Sequence, residues 1–172
     1  MVTAARQDAP GALERVRELL NTWYIPNDTR VPADDFEDFA DERGLAAAAA
    51  RRELRALRDD LREVIEGSTD ADDVLSSWIA CVALRTVVRD GTVTFIAASE
   101  PAGSMVATVL NAITDNTWHR LKACPDCRWV FYDHTRNASK RWCLMSADGS
   151  GGRGCGTIAK VRRYRERHST AG

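Results

Sequence analysis

The sequence predicts an α+β protein in two unequal parts. Residues 1–117 read as a predominantly helical N-terminal domain with a small β-hairpin, and residues 118–172 as a small C-terminal domain that gathers four cysteines and ends in a basic helix. Three observations carry this reading. Apolar residues recur at three- and four-residue spacing through several stretches of the first part, as one buried helix face requires. Two β-branched runs flank an Asp-Gly turn, which is a hairpin signal. Cys124, Cys127, Cys143 and Cys155, four of the five cysteines, fall in the second part.

Taken in order, Leu13, Val16, Leu19 and Leu20 mark the first helix. The longest helix is expected from Ala46 to Glu66, with Leu54, Leu57, Leu61, Val64 and Ile65 on one face and Arg51, Arg55, Arg58 and Arg62 spread around the rest, until Gly67-Ser68 stops it. Asp70 or Asp72 caps a third helix carrying Val74, Leu75, Trp78, Ile79 and Val82, on which Cys81 reads as an inert core residue. The hairpin pairs Leu84 to Val88 with Thr92 to Ala98, and Pro101 opens a helix through Met105, Val106, Val109, Leu110 and Ile113. The acidic run Asp34, Asp35, Glu37, Asp38, Asp41 and Glu42 reads as a solvated helix face around Phe36 and Phe39. Asn21, Thr22 and Trp23, polar and aromatic groups at a helix end, suit a small-molecule pocket. The competing reading satisfies the helix end with Asn21 and places Trp23 in the core.

The net charge of -1 conceals a split. Residues 1–117 hold 12 Arg and no Lys against 21 Asp plus Glu, or -9; residues 118–172 hold 9 Arg and 3 Lys against 4 acids, or +8. The first part is therefore excluded as a DNA binder, whereas the second has the balance of a nucleic-acid partner. No apolar run approaches the ~20 residues of a membrane span, and the N-terminus lacks the apolar core of a signal peptide. A cytoplasmic, reducing setting without a membrane partner is expected. A Gly-rich phosphate loop, a nucleophile elbow and a His-carboxylate cluster are all missing, so the expectation is not an enzyme.

The cysteine spacing is x2, x15 and x11. Two thiolates two residues apart form a tight knuckle on one ion, and two more complete a tetrahedral zinc site with no open position, which makes one zinc per chain structural. Disulfides are disfavoured in a reducing compartment, and a redox reading of Cys124-Pro-Asp-Cys127 lacks its βαβ surroundings. The loop between Cys143 and Cys155 holds four glycines and can fold back at little entropic cost, so Cys155 is the best fourth ligand, with His119 and His134 the alternatives.

Cys124-Pro-Asp-Cys127-Arg-Trp-Val-Phe131-Tyr-Asp133-His-Thr-Arg136-Asn137-Ala-Ser139-Lys140-Arg141-Trp142-Cys143-Leu-Met145, then Cys155-Gly156 and Ala159-Lys160-Val-Arg162-Arg163-Tyr164-Arg165-Glu-Arg167, resembles the CGNR-type zinc finger over nearly all of residues 120–168. Through Leu20-Asn21-Thr22, the N-terminal part resembles the stress-induced transcriptional regulator (ABATE-like) domain that accompanies this finger. The resemblance implies a bacterial cytoplasmic protein that binds DNA and regulates transcription. Two departures stand out: the signature Cys-Gly-Asn-Arg reads Cys155-Gly156-Thr157-Ile158 here, and the gap before Cys155 is longer than usual.

Gly156-Thr157 can start a helix through His168, with Ile158, Val161 and Tyr164 as a narrow apolar stripe. Lys160, Arg163 and Arg167 share another face, flanked by Arg162 and Arg165, which suits the phosphates of double-stranded DNA. Arg136, Asn137, Lys140 and Arg141 form a second basic cluster, in which the Asn137 amide could read an adenine edge. Trp129, Phe131, Tyr132 and Trp142 are the finger's core or, for RNA, stacking surfaces. The rival readings are a zinc-stabilised protein-interaction adaptor and an enzyme or small-molecule sensor using the N-terminal pocket. A homodimer partner and a small-molecule effector complete the expected partners.

Overall fold

The computed structural model describes residues 7–144 and 154–169, omitting the side chains of Glu166 and Ser169. Six helices and three two-stranded antiparallel sheets follow one another: α1 (Leu13–Leu20), β1 (Trp23–Tyr24), β2 (Ala33–Asp34), α2 (Phe36–Glu42), α3 (Ala48–Glu66), α4 (Ala71–Cys81), β3 (Leu84–Arg89), β4 (Thr92–Ala97), α5 (Ala102–Thr114), β5 (Leu121–Ala123), β6 (Val130–Tyr132) and α6 (Cys155–Ser169). This is the predicted α+β class. Met145 and most of the glycine loop lie outside the described residues.

The helices form where the apolar spacing places them. Val16, Leu19 and Leu20 of α1 and Leu57 and Leu61 of α3 are fully buried, and α5 packs Met105, Val106, Val109 and Leu110 against them. α3 ends on Gly67 at φ 74: its N–H bonds Val64 O and the next N–H bonds Glu63 O, a left-handed cap that a Cβ would strain. Asp70, not Asp72, caps α4, its carboxylate accepting the Asp72 N–H at 2.8 Å. Asp90 and Gly91 turn the hairpin with both φ values positive, which matches the twist of the paired strands, and Arg89 opposes Thr92. The hairpin is latched to α5 by one amide, since Asn111 accepts the Phe95 N–H at 2.8 Å and donates to its carbonyl at 3.0 Å.

Three expectations are corrected. Cys81 is exposed, because α4 buries Leu75 and half-buries Trp78 while its final turn faces solvent. Ile79 and Ile113 are exposed for the same reason, each lying off the face that its helix buries. The acidic run stays at the surface but is more than solvated: Arg51 pairs with Glu37 and Asp41, Arg55 with Asp34 and Glu37, and Arg58 with Asp34. Two short strands, β1 and β2, were not foreseen, and neither was the burial of Arg58 and Arg62.

These pairs make stability depend on pH. Hydrogen bonds from Arg51 and Arg55 hold Glu37 below the usual carboxylate range, and for Asp34 partial burial pushes the carboxyl up but the Arg58 bonds outweigh it. A lowered folded pKa stabilises above the unfolded value of about 4 and is lost as pH falls through the folded one. Replacing Arg51 and Arg55 with Gln is expected to lower the melting temperature at pH 7. The gap from wild type should be small, because water screens these exposed pairs, and should close as pH falls below about 4.

Candidate metal centre and basic surface

Strands β5 and β6 carry the Cys124–Cys127 knuckle between them. Arg128, at φ 61, turns the chain so that its N–H bonds Cys124 O at 2.9 Å and the Cys124 N–H bonds Trp129 O at 2.8 Å. That turn aims the backbone N–H of Cys127 at the Cys124 sulfur and that of Trp129 at the Cys127 sulfur. Cys143 follows the loop after β6, and Cys155 is the first residue of α6, where the helix N-terminus favours a thiolate.

All four sulfurs are buried and lie within 4.8 Å of one another, with Cys127 to Cys143 at 3.5 Å and Cys143 to Cys155 at 3.6 Å. A tetrahedral ion with bonds of about 2.3 Å needs sulfurs about 3.8 Å apart, so the donor set and its spacing fit zinc. Charge gives the same answer. Hydrogen bonds from Cys127, Cys143 and Cys155 favour a thiolate at Cys124, and that thiolate pushes the Cys127 and Cys143 thiols up. Four thiolates cannot coexist there without a cation. His119 is exposed and His134 bonds Asp8 O at 2.8 Å, both outside the cluster.

The finger is clamped to the helical body through its backbone. Asn21, at the end of α1, donates to Val130 O at 2.8 Å and accepts the Val130 N–H at 2.7 Å. Arg17 adds a bond to Val130 O at 3.3 Å, and the buried Arg62 spans Leu20 O, Glu66 and Arg128 O while lying over the Trp23 ring. Leu121, Val130 and Tyr132 join the main core, whereas Phe131 packs with the cysteines and half-buried Trp129 and Trp142. These aromatics thus serve as core.

Asn21 and Thr22 border a cavity of about 390 Å³ with Phe39 and Trp129, and Trp23 borders another of about 470 Å³ with Arg55, Arg58 and Arg62. The polar atoms of Asn21 and Thr22 are already engaged, with Val130 and with Leu19 O and Arg58 respectively.

The basic loop is organised by a residue that sequence reading missed. Asp133 is fully buried and accepts hydrogen bonds from Thr135 N–H and Oγ1, Lys140 N–H and Lys122 Nζ, at 2.6–2.9 Å. Burial pushes its carboxyl up, but the Lys122 and Thr135 bonds prevail and hold it well below the usual range. The loop wrapped on it exposes Arg136, Asn137 and Arg141, while Lys140 is half-buried with its ammonium 5.0 Å from the Phe131 ring centre.

On α6, Lys160, Arg163, Arg165 and Arg167 are exposed, and Arg162 reaches within 3.7 Å of the buried Asp126 carboxylate. Ile158 and Val161 are half-buried as the stripe predicted, but Tyr164 is 57% exposed and stacks on His168, because the second half of α6 projects from the finger.

No curated protein and no solved structure matches the chain. No helix among the described residues is long and apolar enough to cross a membrane. One family model matches, over residues 120–168, and it stops short of the N-terminal part, so the ABATE-like resemblance finds no support there. Its description agrees with the four-sulfur geometry: residues 120–168 match the CGNR zinc finger, and their four buried cysteines can hold one structural zinc ion.

Proposed function

We propose that the chain is a DNA-binding transcriptional regulator in which the zinc finger supplies the DNA contact and the helical body senses an effector, dimerises, or does both. The observation that carries this reading is the display of cations on the finger. Arg136, Asn137 and Arg141 on the Asp133 loop, and Lys160, Arg163, Arg165 and Arg167 on α6, are exposed. Phosphate recognition needs cationic ends on a fixed support; here Asp133 holds the loop and the cysteine cluster holds the start of α6. The -9 body disfavours close approach of DNA elsewhere, so the charge split orients the encounter.

Duplex binding followed by fluorescence anisotropy across a salt series tests the proposal. Affinity is expected to fall linearly in log-log form, and Arg163→Ala with Arg167→Ala should reduce the slope by about 2 and weaken all sequences alike. Asn137→Ala should instead relax preference among sequences. If the zinc-loaded protein binds no duplex at low salt, the regulator reading fails and the adaptor reading takes its place.

A further inference from the structure

The loop joining β1 to β2 crosses the metal centre. Ile25 N–H bonds Cys127 O at 2.8 Å, and Arg30 donates to Asp126 O at 3.1 Å with its guanidinium 3.4 Å from the Asp126 carboxylate. Between these anchors the Asn27 amide nitrogen lies 3.3 Å from Cys155 Sγ. Asn27 Oδ1 lies 3.7 Å from the same sulfur and accepts from Arg30 at 3.4 Å, so once Cys155 is a thiolate with no proton to give, the nearer NH2 group is the amide's donor to it.

Asn27 brings Cys155 a donor from outside the finger. The sulfurs of Cys124 and Cys127 receive backbone N–H groups from their own knuckle. Beside Cys155, the Gly156 N–H goes to Leu144 O and the Ile158 N–H to Gly154 O, both at 3.0 Å. Zinc with four thiolates keeps a charge of -2, and each N–H that points at a sulfur draws off part of that charge and fixes the direction of its lone pair.

We propose that Asn27 is the positioning residue for the Cys155 thiolate, so that the helical body completes the outer hydrogen-bond shell of the finger's fourth ligand. The donor lies 128 positions from the cysteine and outside the segment that matches the family. The inference goes beyond the DNA reading and stands whether or not the finger binds DNA.

The test uses the full zinc-loaded chain, a chromophoric chelator in competition for zinc, and the thiolate-to-metal charge-transfer band after exchange of zinc for cobalt(II). Asn27→Ala is expected to weaken zinc retention about tenfold and to shift the cobalt band. Asn27→Asp, which puts a carboxylate of the same shape against the thiolates, should weaken it further. Val31→Ala, an exposed change in the same loop, should leave both readouts at wild-type values. Retention within about twofold of wild type and an unchanged cobalt band in Asn27→Ala would overturn the proposal. Should that variant fail to fold, the same two readouts on Asn27→Asp decide. A wild-type chain that takes up no zinc would overturn the metal centre itself, a failure distinct from that of Asn27.

Discussion

Removing the zinc, by chelation or by Cys143→Ser, is expected to cost on the order of 10 kcal/mol of apparent folding free energy and to reach beyond the finger. The cysteine cluster has little apolar support of its own: Phe131 is its one fully buried aromatic, with Trp129 and Trp142 half-buried. The strands that carry the knuckle are also part of the main core, through Leu121, Val130 and Tyr132. Without the ion, four sulfurs held within 4.8 Å lose their common partner, the knuckle opens, and Val130 is pulled away from Asn21. The expected record is one zinc per wild-type chain by metal analysis, none in Cys143→Ser, and a melting transition that drops steeply when zinc is withdrawn. A melting curve unchanged after verified metal loss would show that the ion is not structural.

The second large effect is expected from Lys122→Met. Lys122 sends its ammonium to Asp133 and to the carbonyls of Ala138 and Lys140, tying β5 to the basic loop. Methionine keeps the apolar stem but leaves the Asp133 carboxylate buried without its cation, which typically costs about 3–5 kcal/mol. The double variant with Asp133→Asn should recover part of that loss, because it removes the stranded charge while keeping the shape. Denaturant unfolding of the zinc-loaded proteins measures both values. Equal stability of Lys122→Met and wild type would contradict the role assigned to this pair.

Legibility in the sequence followed the kind of interaction. Helix faces were readable because burial imposes a period, so Leu54, Leu57 and Leu61, or Leu13, Val16 and Leu20, announced themselves. The metal centre was readable because thiolate geometry imposes a spacing on Cys124 and Cys127. The polar bonds that hold the parts together were not. Asn21, Arg17 and Arg62 bind backbone carbonyls of residues 128 and 130, and a carbonyl carries no side-chain signature. Asn27 and Asp133 were hidden for a related reason, since each has distant partners that the chain brings together only once it is folded. Cys81 was misplaced because an apolar neighbourhood in sequence does not say which side of a short helix meets solvent.

The two carboxamides that each grip one peptide, Asn21 on Val130 and Asn111 on Phe95, have a consequence for how copies of the chain meet. A two-stranded ribbon has nothing but edges, and an open edge is a template for a strand from another molecule. An amide offers the same donor and acceptor as a neighbouring strand would, so at these two peptides the place of an incoming chain is already filled. An intruding strand would have to expel a side chain that is fixed to its own helix before it could form its first pair of bonds.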